Sequence, residues 1–217
     1  PNGAGKTSLM NLLCRFYDPQ EGRISVDGHD IRDVTLKSLR GQIGIVLQTP
    51  FLFSGSIAEN IRYGRPGASD EEVVEAAKAV GLHEFVASLP EGYRTKVGER
   101  GGRLSMGQRQ LVSFARALLR DPKILIMDEA TSSIDAYTEL LIQKALGRIL
   151  GERTSIIIAH RLSTIRNADR IVVIDKGRIV QEGSHDELIE TGGLYAHLYE
   201  MQFKQVEAVN VASKPMG

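Results

Sequence analysis

The chain opens PNGAGKT (Pro1 to Thr7), and these residue types at this spacing suit phosphate chemistry. Gly3 and Gly5 let successive backbone N–H groups converge on phosphate oxygens. Lys6 supplies a point charge for β- and γ-phosphates, and Thr7 a hydroxyl for Mg²⁺. The pattern is a phosphate-binding loop, complete if glycine precedes Pro1. The competing reading is a glycine-rich turn before a helix.

A second group of candidates ends apolar runs. ILIMDE closes on adjacent carboxylates, Asp128 and Glu129. One can hold Mg²⁺, and the next can orient or deprotonate an attacking water. The plain alternative is a strand end meeting solvent. Gln48 follows IGIVL, and His160 follows SIIIA. If those runs are parallel strands, Gln48, Asp128, Glu129 and His160 share the carboxyl rim, where open α/β sheets bind ligands. His160 is expected to contact a γ-phosphate. His29, His83, His185 and His197 lie elsewhere and receive no chemistry.

A third candidate is LSMGQRQ (Leu104 to Gln110). Ser105 and Gln108 have the spacing of a capping box, and a helix start is an anion site. Met106 puts a long side chain where a backbone touching phosphate would favour glycine.

Positioning these residues requires strands and helices in alternation. IGIVL (Ile43 to Leu47), ILIM (Ile124 to Met127) and SIII (Ser155 to Ile158) read as buried parallel strands. SLMNLLCRFY, Asp70 to Val80, Ser105 to about Arg120, and Glu139 to Leu150 read as helices. Ser69 with Glu72, and Ser184 with Glu187, are further candidate capping boxes, and Gly81 a stop. Hairpins are expected at Asp27-Gly28 and Lys176-Gly177. The fold class is therefore α/β with a mainly parallel sheet. Residues 1–48 and 104–203 are expected to form the core. Residues 49–103, with helical patterns and many glycines, form a smaller inserted helical subdomain, and 204–217 a polar tail.

Composition agrees with a globular domain: 42% hydrophobic and 25% charged residues. Lys+Arg and Asp+Glu are both 27, which argues against a broad nucleic-acid face. No apolar run approaches the ~18 residues needed to span a bilayer. The single cysteine, Cys14, excludes an intrachain disulfide and reads as a small residue within a helix. A start at proline suggests a fragment of a longer protein.

The order PNGAGKT, Gln48, LSMGQRQ, ILIMDE, TSSID (Thr131 to Asp135), AHR (Ala159 to Arg161) resembles the nucleotide-binding domain of ATP-binding cassette (ABC) transporters. The resemblance runs from Pro1 to about Gln202. It implies a P-loop NTPase core with ATP and Mg²⁺. Asn2, Gly3, Ala4, Gly5, Lys6, Thr7 and Ser8 would bind ATP as the Walker A loop, together with Gln48. Thr7, Gln48 and Asp128 would serve Mg²⁺. Glu129 would be the catalytic base, His160 the switch histidine, and Lys6 a catalytic cation. Ser105, Met106, Gly107 and Gln108 would form the signature, which binds ATP held by the opposite subunit. Asp135 would belong to a loop reaching that subunit.

Two stretches, Thr49 to Gly64 and Thr95 to Ser105, resemble the exporter branch of the family. There Phe51, Leu52 and Phe53 would offer membrane domains an apolar surface, and Glu99 and Arg100 a charged one. One of the three apolar residues is expected in the core instead. The resemblance implies an ATPase at the cytoplasmic face of the membrane. Its partners would be a second such domain and transmembrane domains on the same full-length chain. The alternatives are a soluble ABC switch outside transport and a catalytically silent partner. An altered signature beside intact Glu129 and His160 favours a heterodimer over a homodimer. Without the strand feeding the phosphate loop and an adenine-stacking aromatic, these residues alone are expected to be unstable or weak in ATP binding.

Overall fold

The computed structural model describes residues 4–128, 135–151, 153–159 and 162–201. In chain order the first half holds α1 (Lys6–Leu13), β1 (Ser25–Val26), β2 (His29–Asp30), α2 (Leu36–Gln42), β3 (Ile43–Val46), α3 (Ile57–Arg62), α4 (Asp70–Ala79) and α5 (His83–Ala87). There follow α6 (Met106–Arg120), β4 (Ile124–Asp128), α7 (Ala136–Leu150), β5 (Thr154–Ile158), α8 (Leu162–Arg166), β6 (Ile171–Asp175), β7 (Arg178–Gly183), α9 (His185–Thr191) and α10 (Leu194–Tyr199). Two compact units share them: Leu13–Ile158, and the described residues of Pro1–Leu12 with Ala159–Gly217.

In the larger unit the three expected parallel strands form one sheet in the order β3-β4-β5, but against expectation β5 holds no buried residue and β3 exposes Ile45, as flanking strands of the sheet. Ile43 pairs with Ile124, and Ile124 with Thr154. The central strand β4 buries Ile124 to Met127 on both faces, so its sequence is apolar without alternation. One apolar cluster extends from β3 and β4 through α6 and α7 to α3, α4 and α5. α6 is the centre of that cluster: Leu111, Val112, Phe114, Ala115 and Leu119 are all buried. Between 49 and 103 lie α3, α4, α5, two short three-ten turns and an isolated bridge pairing Ser56 with Lys96.

Local signals set most helix ends. Ser69 and Glu72 close a capping box at α4, Ser105 and Gln108 at α6, and Ser184 and Glu187 at α9. Ser56 and Glu59 form another at α3. Helix α1 differs from expectation. It starts at Lys6 and stops at Leu13, because Arg15 turns the backbone to φ 52°. The Arg15 guanidinium then donates to the carbonyls of Ile31 and Val34, tying the turn to the β1-β2 hairpin. Cys14 therefore lies in a turn, not in the helix; it is buried, and its carbonyl accepts from Arg40. α7 begins three residues earlier than the apolar pattern indicates, because Asp135 caps it.

In the smaller unit β6 and β7 form an antiparallel hairpin with a register shift between Val173 and Ile174. Its turn sets Lys176 at φ 47° and Gly177 at φ 75°, the two positive values a tight hairpin needs. Val173, Leu188 and Tyr195 make its small core. Among the described residues no helix is long and apolar enough to cross a membrane.

Candidate functional site

The start of α1 follows a glycine in the left-handed region. Gly5 stands at φ 103°, a value that L side chains rarely adopt, and its carbonyl accepts the Leu9 N–H at 3.0 Å. Lys6 and Thr7 thus fall in the first turn, where free N–H groups and the helix dipole favour an anion. Ala4 is buried, and its carbonyl accepts from the Gly177 N–H at 3.1 Å. The hairpin turn of β6-β7 thereby fixes Ala4, just ahead of α1. Lys6 is half-buried; Thr7 and Ser8 are exposed. Asn2 and Gly3 lie outside the described residues.

In the larger unit the strand register brings two further candidates to one rim. Val46 is paired with Met127, and Asp128 with Ile158. Gln48 therefore follows β3 on the edge where Asp128 ends β4. Gln48 is exposed and Asp128 half-buried. Both offer oxygen donors, the chemistry a hard divalent cation takes. Glu129, His160 and the Thr131–Ile134 part of TSSID lie outside the described residues.

The signature stretch forms the expected capped helix start. The Gln108 N–H donates to Ser105 Oγ at 3.2 Å, and the Ser105 N–H to Gln108 Oε1 at 2.9 Å. The box leaves the Ser105 hydroxyl proton available to an anion. Met106 is half-buried, and its Sδ lies 3.8 Å from Arg109 Nη2. Arg109 also donates to the carbonyls of Leu104 at 2.7 Å and Gly101 at 3.3 Å, pinning the loop that leads into α6. Gly107 is buried.

Asp135 Oδ1 accepts the Thr138 N–H at 2.9 Å, and that bond holds its carboxyl below the usual aspartate range. Leu52 is fully buried, whereas Phe51 and Phe53 are exposed, so Leu52 is the core member of the three. Glu99 and Arg100 are exposed on a three-ten turn. Sequence reasoning passed over Asn60, Tyr63 and Arg116, which join this surface to α6. Asn60 inside the apolar pattern of IAENIRYG was the available signal, since a buried amide needs partners.

Residues 1–132 match the family model described as ABC transporter. The uncharacterized ABC transporter ATP-binding protein YknV of Bacillus subtilis (strain 168) is 60% identical over 93% of this chain and 33% of its own. An ATP-dependent lipid A-core flippase of Syntrophus aciditrophicus (strain SB) is 55% identical over 94% of this chain and 34% of its own. The structure of a bacterial Atm1-family ABC exporter with ATP bound superposes with a TM-score of 0.87. It is 50% identical and covers 94% of this chain and 36% of that one. The chain spans about a third of the length of the curated relatives it matches. A family model covering more than half the residues, and a solved relative of the same fold at half identity, place the chain in the ABC transporter family, with a P-loop NTPase core.

Proposed function

We propose that this chain is the ATP-binding and ATP-hydrolysing module of an ABC exporter at the cytoplasmic face of the membrane. The observation that carries the reading is the register of β3, β4 and β5, which puts Gln48 and Asp128 on one carboxyl rim. The capped start of α6 supports it. So does a loop with Gly5 at positive φ before a helix. Asn2 to Ser8 would cradle the phosphates, with Lys6 balancing their charge. Thr7, Gln48 and Asp128 suit Mg²⁺, which is held by few protein ligands and by substrate phosphates. Glu129 orients and deprotonates the water, and His160 holds the γ-phosphate. Catalysis of this kind is mostly positioning and charge stabilisation.

The partner of the site is a second nucleotide-binding domain. Ser105, Met106, Gly107 and Gln108 face the nucleotide of that partner, and Asp135 lies in the connecting loop. Met106 favours a heterodimer, in which this chain hydrolyses ATP at its own loop and completes a weaker second site. Residues 49–103 form the helical subdomain that meets the transmembrane domains, with Phe51 and Phe53 offering an exposed apolar surface and Glu99 and Arg100 an exposed charged one.

Phosphate release by the purified full-length protein tests the reading. Mg²⁺-dependent ATP hydrolysis is expected, abolished in Lys6→Ala and Glu129→Gln. Hydrolysis unaffected by both substitutions would refute it. Co-purification of an active homodimer with two equivalent sites would refute the heterodimer.

A further inference from the structure

Arg116 sits in α6, eleven residues beyond the Ser105 cap, about 16 Å along the axis. It has an unusual set of partners. Nε donates to the Asn60 carbonyl at 2.8 Å, Nη2 to Asn60 Oδ1 at 2.9 Å, and Nη1 to the Phe51 carbonyl at 3.0 Å. Arg116 Cζ lies over the Phe53 ring, 5.6 Å from its centroid, and over the Tyr63 ring at 5.7 Å. Burial lowers its pKa below the ordinary arginine value. Its charge is thus met by carbonyl dipoles and aromatic faces, within the range of cation–π attraction.

The groups it holds form one platform. Phe53 packs on Tyr63 at 4.3 Å between centroids, and Phe51 meets Phe53 edge-on at 5.1 Å. All three rings are exposed: Phe51 by 47%, Phe53 by 39% and Tyr63 by 60%. Asn60, buried beneath them, accepts the Phe53 N–H and donates to the carbonyls of Phe53 and Ser56. The backbone around the rings is therefore fastened on Asn60, and Asn60 is fastened on Arg116. The other end of the same buried helix begins at Ser105.

We propose that Arg116 is a positioning residue that couples the Phe51–Phe53–Tyr63 platform to the signature helix α6. Displacement of the platform by a docked helix of the transmembrane domains moves α6 as a body, and with it the Ser105 cap. The inference rests on the proposed reading of that cap as the contact to the partner subunit's ATP. A lysine cannot replace the arginine, because a point charge lacks both the three-way fork and the flat stacking face.

The test uses the full-length transporter. Phosphate release gives kcat and KM for ATP, and thermal unfolding gives stability, for Arg116→Lys, Tyr63→Leu and the double variant. Arg116→Lys is expected to lower kcat about fivefold or more, with KM within about twofold of wild type. Its unfolding midpoint is expected to stay close to wild type. Tyr63→Leu should lower kcat similarly, and the double variant should be no worse than about twofold below the weaker single, since both act through one link. An unchanged kcat for Arg116→Lys, or losses that multiply in the double variant, overturns the proposal. If Arg116→Lys fails to fold, Tyr63→Leu and Phe53→Leu decide it: these rings are exposed, and an unchanged kcat in both overturns it. A wild-type protein without ATPase activity overturns the functional reading itself, and the coupling with it. Active wild type with an indifferent Arg116→Lys overturns only the coupling.

Discussion

Ser105 and Gln108 hold one another at the start of α6 through two reciprocal hydrogen bonds. The serine oxygen accepts within the helix, so its proton is what remains for a phosphate. Ser105→Ala removes both functions. The expected cost to helix stability is about 1 kcal/mol. Turnover of the nucleotide held by the partner should fall much further than so small a change in stability accounts for. Nucleotide at this chain's own loop should turn over as before. Nucleotide trapping at each of the two sites of the dimer checks this.

On the proposed reading, Glu129→Gln is expected to lower hydrolysis about a hundredfold or more while ATP binding persists, because only the proposed base is lost. Removing Mg²⁺ with a chelator should stop hydrolysis in the wild type. Lys6→Ala should differ by weakening binding itself. Equilibrium binding of a fluorescent ATP analogue separates the two behaviours.

Gly64 has no room for a side chain. A Cβ there would fall on the backbone oxygen of Arg116, where α6 passes. Gly64→Ala must push the end of α3 from α6, at a cost of about 1–3 kcal/mol. Gly67→Ala, where a Cβ meets nothing within 4 Å, is the control and should leave stability nearly unchanged. Thermal unfolding midpoints compare the pair.

The capping carboxylates predict an acid sensitivity. The Ser56 N–H bond holds the Glu59 carboxyl below its ordinary value of 4.5, and the Ser184 N–H bond does the same for Glu187. In each case the folded state favours the charged form. Their stabilisation is therefore full above that ordinary value and is lost as pH falls below it. Glu59→Gln keeps an acceptor at the cap but cannot titrate. The unfolding midpoint of this variant should depend less on pH than wild type between about pH 5 and pH 3.5. Scanning fluorimetry across that range checks the slope.

Much of the fold was legible because its determinants are local. A capping box needs only residues three apart, and the boxes at α4, α6 and α9 stand where Ser and Glu or Gln announce them. The strands of the parallel sheet were legible because ILIM and its neighbours are short, apolar and rich in β-branched residues. The end of α1 was not, since Arg15 breaks it to reach carbonyls sixteen and nineteen residues away.

By itself the sequence determined the capping boxes of α4, α6 and α9 and the two hairpin turns. These rest on backbone bonds and φ values that each short stretch sets alone. Tertiary structure decided which of Phe51, Leu52 and Phe53 is core, and that Gln48 and Asp128 share an edge. It also joined Arg116 to Asn60, 56 residues earlier. Burial, strand register and a guanidinium's choice of carbonyls depend on which surfaces pack together, and no stretch of sequence carries that information before the chain has folded.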